Sequence, residues 1–319
     1  MKRKTINAVI TKKFEEWAAS IEDEEVKKLV KKNTVITGGC IASMINNEKV
    51  SDFDVYFTNQ ETVIAVAKYY IRKFQEMKPD GPEIKLYTNE DLANPDSEPS
   101  KEFAKTENRD EELADFYELN SLNKEDGRVI IFIRSSGIAS ETEIDLEDCE
   151  NPLDEGVAST CDSDKPKYRP VFFSSNAITL SDKIQIVTRF YGDAEQIHSN
   201  FDYIHATNYW ASAEGKVVFG IEAYEACHNK ELIYVGSKYP VCSLFRMRKF
   251  ISRGFTITAG EILKIAMNIN EFDLKDVRVL RDQLIGVDSA YFNNLIAKIK
   301  GKKDIDRHYL TAIINKMFN

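Results

Sequence analysis

The sequence predicts an α/β (α+β) fold, in which a mixed sheet with flanking helices is followed by a mostly α-helical C-terminal region. Short β-branched runs alternate with helical patterns as far as Trp210, and helical patterns dominate beyond Gly220. The length of 319 residues and the hydrophobic content of 43% are sufficient for a sizeable core. We therefore expect a sheet domain and a second, helical domain.

Two acidic stretches interrupt the sheet region. Residues near 89–126 and 140–165 are crowded with Asp, Glu, Ser, Asn and Pro. Segments so poor in large apolar side chains cannot form a core of their own, so we predict solvated insertions. The predicted domains are residues 1–215, which include both insertions, and residues 216–319.

Hydrophobic periodicity predicts the individual elements. Apolar residues at helical spacing within residues 5–31 predict two amphipathic helices. Later patterns predict, in chain order, the strands Thr34–Thr37 and Phe53–Phe57, the helix Thr62–Phe74, and the strands Ile84–Thr88 and Arg128–Arg134. The last of these strands is expected in the main sheet. Further helical patterns follow, ending with FDLKDVRVLRDQL and IDRHYLTAIINKMF.

Composition and charge argue against several classes of protein. The chain has no apolar run of about 18 residues that could span a bilayer. Its basic N-terminus lacks the apolar segment of a secretory signal, so we expect a cytoplasmic protein with no membrane partner. Five scattered cysteines without CxxC spacing argue against a zinc ribbon or a disulfide framework. The net charge of −9 argues against a protein that coats nucleic acid, although a local basic groove stays open.

Two adjacent glycines, Gly38 and Gly39, follow the first predicted strand. Glycine permits close backbone approach and unusual φ angles. The residues after them can begin a helix whose free N–H groups and dipole favour an anion. We therefore expect phosphate groups at this turn, with Ser43 among their contacts.

The next predicted strand contains two aspartates in the segment SDFDVYF. Strand alternation places Asp52 and Asp54 on one side of the sheet and Phe53 and Val55 on the other. Two neighbouring carboxylates repel unless a cation neutralises them, and their hard oxygen atoms suit Mg²⁺ or Mn²⁺. Glycines for phosphates and carboxylates for a metal together predict phosphoryl or nucleotidyl transfer.

Residues 34–57 resemble the signature of the DNA polymerase β-like nucleotidyltransferase superfamily, in which a strand ending in Gly-Gly leads through a helix to an Asp-x-Asp strand. More loosely, residues 177–210 resemble nucleotidyltransferase-like proteins of bacteriophages and large DNA viruses. The resemblance implies a nucleotidyltransferase-type mixed sheet. It also implies that the glycine pair contacts the triphosphate and that the aspartate pair binds two divalent metal ions.

The resemblance further implies a third carboxylate on a neighbouring strand, which acts as a metal ligand and general base. Asp145, Asp182 and Asp202 are the candidates. Asp145 lies inside an acidic insertion, and Asp182 has the setting of a turn or a helix start. Asp202 is preferred because the aromatic and β-branched residues around it have strand character.

The helical region contains a run of cations in the segment SKYPVCSLFRMRKFISRGF. On a helix, Arg246, Lys249 and Arg253 share one face, and Lys238 precedes them. We predict that these residues contact a triphosphate or a nucleic-acid backbone. The alternative is a solvated face whose cations are paired with acidic side chains.

The predicted function is a metal-dependent nucleotidyltransferase that moves NMP from a nucleoside triphosphate to an acceptor hydroxyl and releases pyrophosphate. An RNA or tRNA 3′ end is the first expected acceptor. Alternatives are nucleotidylation of a protein or small molecule, and a non-catalytic viral or phage accessory protein that retains the fold. CCA addition is not inferred, because the Val-Arg-Asp-type segment of those enzymes is replaced here by Cys40–Ser43. The oligomeric state is not predicted.

Overall fold

The computed structural model describes residues 1–92, 94, 97–105, 129–133, 139–140, 165–174 and 176–276, with the single positions 279, 280, 283, 308 and 311. Within these ranges the protein has a mixed α/β fold, which confirms the predicted fold class. In the described part of the chain, no helix is both long and apolar enough to cross a membrane.

The described strands are, in chain order, β1 (Thr34–Thr37), β2 (Phe53–Phe57), β3 (Ile84–Thr88), β4 (Val129–Ile133), β5 (Ala139–Ser140), β6 (Pro170–Phe173), β7 (Ala177–Leu180), β8 (Ile184–Tyr191), β9 (Tyr209–Ala211), β10 (Lys216–Val218), β11 (Glu231–Leu232) and β12 (Thr256–Ile257). The described helices are α1 (Arg3–Ser20), α2 (Glu24–Asn33), α3 (Gly39–Ile45), α4 (Gln60–Met77), α5 (Asn89–Leu92), α6 (Glu98–Lys105), α7 (Ala194–His198), α8 (Ile221–Asn229), α9 (Pro240–Ser252) and α10 (Ala259–Ile269), with a 3₁₀ helix at Ile204–Ala206.

An eight-stranded mixed sheet forms the centre of the protein, in the spatial order β10-β9-β1-β2-β8-β7-β6-β5. Strand β2 is antiparallel to β1 and parallel to β8. The prediction that β4 belongs to the main sheet is wrong, because β4 pairs with β3 in a separate two-stranded sheet. Its side chains Val129 and Ile131 nevertheless pack into the main core.

One face of the large sheet is covered by α1, α2 and α4, which bury the main hydrophobic core. Trp17 of α1 is buried and donates its Nε1–H to the hydroxyl of Tyr70 on α4 at 2.8 Å. Burial raises the pKa of Tyr70, so this hydroxyl remains neutral. The first two helices confirm the predicted amphipathic pair, and Asp23 caps the second by accepting hydrogen bonds from two backbone N–H groups.

The opposite face of the sheet has a smaller apolar cluster, formed by Val35, Tyr56, Val187, Phe190 and Ile197. This cluster lies at one end of strands β1, β2 and β8. At the other end of the same strands, the face contains polar side chains, including Asp54.

A third apolar cluster joins the C-terminal region to the segment after α7, and its buried members are Tyr203, Leu232, Tyr234, Phe255 and Ile265. Strand β10 pairs with β9, so the large sheet continues past residue 215. The division into two domains at that residue remains a prediction.

The two acidic insertions and the last helical pattern fall largely on residues that the structure does not describe. Within the first predicted insertion, the structure describes two short helices, α5 and α6. The pattern at residues 272–284 is described only in part, and of the pattern at residues 305–318 only positions 308 and 311 are described; most of the second insertion and the candidate Asp145 lie outside the described residues.

Candidate functional site

The glycine turn lies between β1 and α3. Gly38 has φ +90° and ψ −149°, a conformation that side chains rarely permit. A Cβ atom built on Gly38 would lie 2.9 Å from Oδ2 of Asp54. The turn is held in place because the Gly38 N–H donates to the carbonyl of Ala206 at 3.1 Å. Glycine is therefore required here both by backbone conformation and by the approach of the Asp54 carboxylate.

Gly39 has a different environment. A Cβ atom built on Gly39 would meet no described atom within 4 Å. Gly39 and Ser43 are four residues apart on α3, so they lie on the same face of this short helix. Space is therefore open at the first turn of that face.

Asp54 lies on β2, and Asp52 immediately precedes that strand. Asp52 and Asp54 are half-buried, whereas Phe53 and Val55 are buried in the main core. Cys40, at the start of α3, lies within electrostatic reach of both carboxylates. Burial, together with the charges of Asp54 and Asp52, raises the pKa of the Cys40 thiol well above its usual value. This thiol therefore stays protonated and is not a nucleophile.

A row of polar side chains crosses the sheet at Asp54. Strand pairing places Tyr209 opposite Thr37, Thr37 opposite Asp54, Asp54 opposite Gln185, and Gln185 opposite Thr179. Directly opposed residues on neighbouring strands point to the same face. This set, which we call the polar row, was missed by sequence reasoning. The available signal was one polar residue, Gln185, between two buried isoleucines of β8.

Thr37 anchors the end of β1 immediately before the glycine turn. Its Oγ1 lies 2.9 Å from the carbonyl of Asn208 and 2.8 Å from Nε2 of His198. Because the hydroxyl has one proton, a bond donated to Asn208 leaves the imidazole to donate to Thr37. Burial lowers the pKa of His198 to about 4, so its ring is neutral at pH 7.

Asp202, the preferred third carboxylate, is not brought together with the aspartate pair. The neighbours of β2 in the sheet are β1 and β8, and Asp202 lies on neither strand. Its Oδ2 instead accepts a hydrogen bond from Nη1 of Arg246 at 2.7 Å, with only 10% of the side chain exposed. Tyr203 forms an isolated bridge with Tyr234, and the chain then turns into the 3₁₀ helix, so the expected strand does not continue.

The predicted three-aspartate metal site is therefore not assembled. Opposite Asp54, strand β8 provides the amide of Gln185 instead of a carboxylate. Among the residues that the structure describes, no group of three or more His, Cys, Asp or Glu side chains could hold a metal ion. Asp182, the other described candidate, occupies a turn at φ +60°, as expected for a turn residue.

The predicted basic face is largely engaged by acids of the same chain. Arg246 bonds to Asp202. Arg253 caps the C-terminus of α9 and bonds to Glu48 and Ser43. Lys249 is exposed on the last turn of the helix, and burial lowers the pKa of Lys238. For the two arginines, the structure favours the alternative in which the cations are paired with acids.

Arg253 belongs to a compact group with Ser43, Glu48 and Lys230, which we call the Glu48 cluster. Glu48 Oε1 accepts from Lys230 Nζ at 2.7 Å, and Oε2 accepts from Arg253 Nε at 3.1 Å and from Arg253 Nη2. Arg253 Nη2 also donates to Ser43 Oγ at 2.9 Å. Burial opposes ionisation of Glu48, but the bonds from Lys230 and Arg253 outweigh it and lower the pKa of this carboxyl. Glu48 is therefore ionised at neutral pH.

Fold and site together define a mixed α/β protein with a carboxylate pair beside a glycine turn. One family model matches the chain, over residues 8–230, and its description is Gad2, Gabija anti-defense 2 family protein. Because the match spans more than half of the chain, the protein belongs to the Gabija anti-defense 2 family, a phage anti-defense family. The assignment to the DNA polymerase β-like nucleotidyltransferase superfamily is therefore wrong. No curated protein matches the sequence significantly.

The matched region has a clear relation to the two parts of the site. It includes the glycine turn, Asp52, Asp54, the polar row and Glu48, and it ends at Lys230. Helices α9 and α10, and with them Arg246 and Arg253, lie beyond it. The family match thus covers the carboxylate site and excludes the arginines that pair with Asp202 and Glu48.

Proposed function

We propose that this protein counters Gabija defense in the cytoplasm of the infected cell through a nucleotide-handling site at Gly38, Asp52 and Asp54. Family membership supports the anti-defense role. The observation that carries the chemical role is the geometry of the turn, where a glycine at φ +90° leaves room for the Asp54 carboxylate. A structural turn alone does not require two carboxylates at the start of the adjacent strand.

The described residues fit a divalent metal ion that arrives with a nucleotide. Mg²⁺ is usually bound through one or two carboxylates, with phosphate oxygens and waters completing its octahedron. Asp52 and Asp54 supply such a pair, and Mn²⁺ would fit in the same way. When bound, the ion would neutralise phosphate charge and polarise the reacting phosphoryl group.

The proposed reaction is nucleotidyl transfer from a nucleoside triphosphate. A hydroxyl oxygen of the acceptor forms a bond to the α-phosphorus, the bond to the oxygen that bridges to the β-phosphate breaks, and pyrophosphate leaves. The hydroxyl proton passes to water, because Gln185 occupies the position opposite Asp54 and cannot act as a base. In this scheme the aspartates hold the metal, and the amide of Gln185 orients polar groups by hydrogen bonding.

The acceptor is proposed to be a hydroxyl group on a protein of the defense system, with an RNA or tRNA 3′ end as the second candidate. A protein acceptor is favoured by the net charge of −9 and by the bonding of Arg246 and Arg253 to acids of the same chain. A polynucleotide acceptor requires cations that replace its counterions.

The second candidate function is non-catalytic binding of a defense component. The observation in its favour is the bonding of Asp202 to Arg246, which leaves the described site without the third carboxylate implied by the sequence. In this alternative the aspartate pair binds a metal–nucleotide complex, or contacts the partner, without transferring a group.

Incubation with Mg²⁺ and nucleoside triphosphates labelled at the α-phosphate tests transfer directly. Protein, RNA and small-molecule acceptors are offered to the parent, to a D52N/D54N variant and to D80N, a control at an exposed turn. We expect labelled product with the parent and the control, and none with the double variant. Equal labelling by the double variant would falsify the assignment of the site.

A plating assay separates the two candidate functions. Cells that contain Gabija defense express either the parent or D52N/D54N and are challenged with a phage that the defense blocks. The transfer hypothesis predicts that plaques return with the parent and not with the double variant. Plaques that return with both proteins would support non-catalytic binding.

A further inference from the structure

The Glu48 cluster has the composition of a phosphate site that is filled by a carboxylate of its own chain. Arg253 contributes a planar fork of donors, Lys230 an ammonium group and Ser43 a hydroxyl. Guanidinium, ammonium and hydroxyl donors are the groups with which proteins bind phosphate oxygens. In the structure all three surround, or lie next to, the single carboxylate of Glu48.

The charge of the cluster is not balanced within itself. Lys230 and Arg253 provide two positive charges, and Glu48 provides one negative charge. The side chains of Glu48, Arg253 and Lys230 are 24%, 27% and 34% exposed, so a ligand can approach them. A phosphate group, with more oxygens and more negative charge than a carboxylate, would match both cations better.

The backbone conformation of Lys230 also supports a phosphate site. Lys230 ends α8 in the left-handed region at φ 54°, where glycine or asparagine is the usual residue. A side chain other than glycine or asparagine is unfavourable in this conformation. Its Nζ bonds both to Glu48 and to the carbonyl of Arg253 at 2.9 Å, so the strained position places the ammonium inside the cluster.

The cluster also continues from the glycine turn. Ser43 lies one turn beyond Gly39 on the same face of α3, on the order of 5 to 6 Å along the helix axis. The space beside Gly39 is open to 4 Å among the described atoms. A chain of phosphates can therefore extend along this face from the turn towards Arg253.

We propose that Ser43, Lys230 and Arg253 form a subsite for the polyphosphate of a nucleotide, and that Glu48 occupies this subsite until the nucleotide displaces it. This subsite deepens the proposed function and rests on it for the identity of the ligand. Glu48 thus acts as an internal competitor, which sets the concentration at which nucleotide binds.

Calorimetric titration with inorganic tripolyphosphate in the presence of EDTA tests the subsite. E48Q removes the competing charge and keeps the side-chain shape, so we expect roughly tenfold tighter binding than in the parent. The E48Q/R253Q variant should lose this gain. E25Q, which removes the same charge from an exposed pair with Lys28, should bind like the parent. Equal binding by E48Q and the parent, or a gain that survives R253Q, overturns the proposal.

Two further arms keep the test decisive. If E48Q does not fold, R253Q in the parent background should weaken Mg·ATP binding at least tenfold, whereas K28Q should not; parental affinity in R253Q overturns the proposal. An RNA oligonucleotide without a terminal phosphate serves as a second probe. The proposal is also overturned if this RNA binds E48Q more tightly than it binds the parent while tripolyphosphate does not. The titration with tripolyphosphate contains EDTA, so its result does not depend on a metal ion at Asp52 and Asp54. If D52N/D54N does not affect transfer, that result therefore counts against the proposed function alone and not against the subsite.

Discussion

Two groups of acidic side chains have different surroundings. Asp54 lies on β2 beside Gly38 and Asp52 immediately precedes that strand, and the polar row extends from Asp54 across the sheet. Asp202 and Glu48 are each bonded to an arginine from the C-terminal region. The same residue types therefore border the glycine turn in one place, where we propose a metal–nucleotide site, and pair with arginines of the C-terminal region in the other. What differs is the group that packs against each carboxylate.

The connections have a mechanical consequence. Asp202–Arg246 links the segment before the 3₁₀ helix to α9, and Glu48–Arg253 links the loop before β2 to the end of the same helix. Partly buried pairs add little net stability when intact, but removal of one partner leaves a charge without compensation. The C-terminal region is thus linked to the segment before the 3₁₀ helix and to the loop before β2.

We expect the greatest change in the rate of nucleotidyl transfer when the Asp52–Asp54 group is altered. D54N removes one charge beside Gly38 and should reduce nucleotidyl transfer by roughly 10²- to 10³-fold, the scale reported for loss of one electrostatic group in an active site. Thermal unfolding should stay close to that of the parent, because the side chain is only half-buried. The rate of transfer is measured with ATP labelled at the α-phosphate. A parental rate in D54N would show that the Asp52–Asp54 group is not part of a transfer site.

The second expected effect concerns pH and two histidines, the half-buried His198 and the fully buried His205. His198 bonds to Thr37, whereas His205 is fully buried among aromatic rings with no described partner for either ring nitrogen. Burial, opposed by the charge of Asp202 and assisted by that of Arg253, lowers the pKa of His205 to about 4. The neutral ring is thus favoured in the folded protein.

The sign of the pH effect follows from proton binding. Between the ordinary pKa of 6.5 and the folded value of about 4, the unfolded chain binds more protons, so stability falls as pH falls through this window. The loss reaches up to about 3 kcal/mol for His205. Urea unfolding of the parent and H205L at pH 7 and pH 4.5 measures it. The difference in the free energy of unfolding between pH 7 and pH 4.5 should be smaller in H205L than in the parent. An unchanged difference would contradict the burial of a neutral ring.

The third effect tests whether Asp202 connects two parts of the fold or takes part in catalysis. D202N leaves Arg246 without its carboxylate, so the free energy of unfolding should fall by about 2 kcal/mol. R246Q should cause a similar fall, and the double variant should lose less than the sum. Transfer by folded D202N should remain near the parental rate. A D202N protein with parental stability and no transfer would instead make Asp202 catalytic.

The smallest effects compare the two adjacent glycines. G38A forces a side chain into φ +90° and places its Cβ 2.9 Å from Asp54, so we expect a loss of about 1–2 kcal/mol. G39A meets open space at an ordinary φ and should change stability by less than about 0.5 kcal/mol. Chemical denaturation of both variants gives the difference directly. Equal losses would show that the approach of Asp54 does not constrain the turn.

Local features of this protein could be predicted from sequence. The amphipathic spacing in residues 5–31 predicted α1 and α2, and alternation in SDFDVYF placed Asp52 and Asp54 opposite the core residues of β2. The glycine pair predicted an unusual φ, which Gly38 has. Each of these predictions depends on residues within a few positions of one another.

The partners of Asp202 and Glu48 could not be predicted in the same way. Asp202 meets Arg246 across 44 residues and Glu48 meets Arg253 across 205, and no local pattern encodes such pairings. Strand character around Asp202 was misleading because Tyr203 forms only an isolated bridge. The position of Gln185 opposite Asp54 depends on the parallel pairing of β2 with β8, which periodicity alone does not fix.

We propose that Asp52 and Asp54, and not Asp202, bind the metal that accompanies a nucleotide. Electron paramagnetic resonance of Mn²⁺ titrated with the protein and ATP measures this binding directly. We predict that the parent and D202N sequester Mn²⁺·ATP with similar affinity and that D52N/D54N does not. Sequestration that survives in D52N/D54N, or that is lost in a folded D202N protein, would contradict the account.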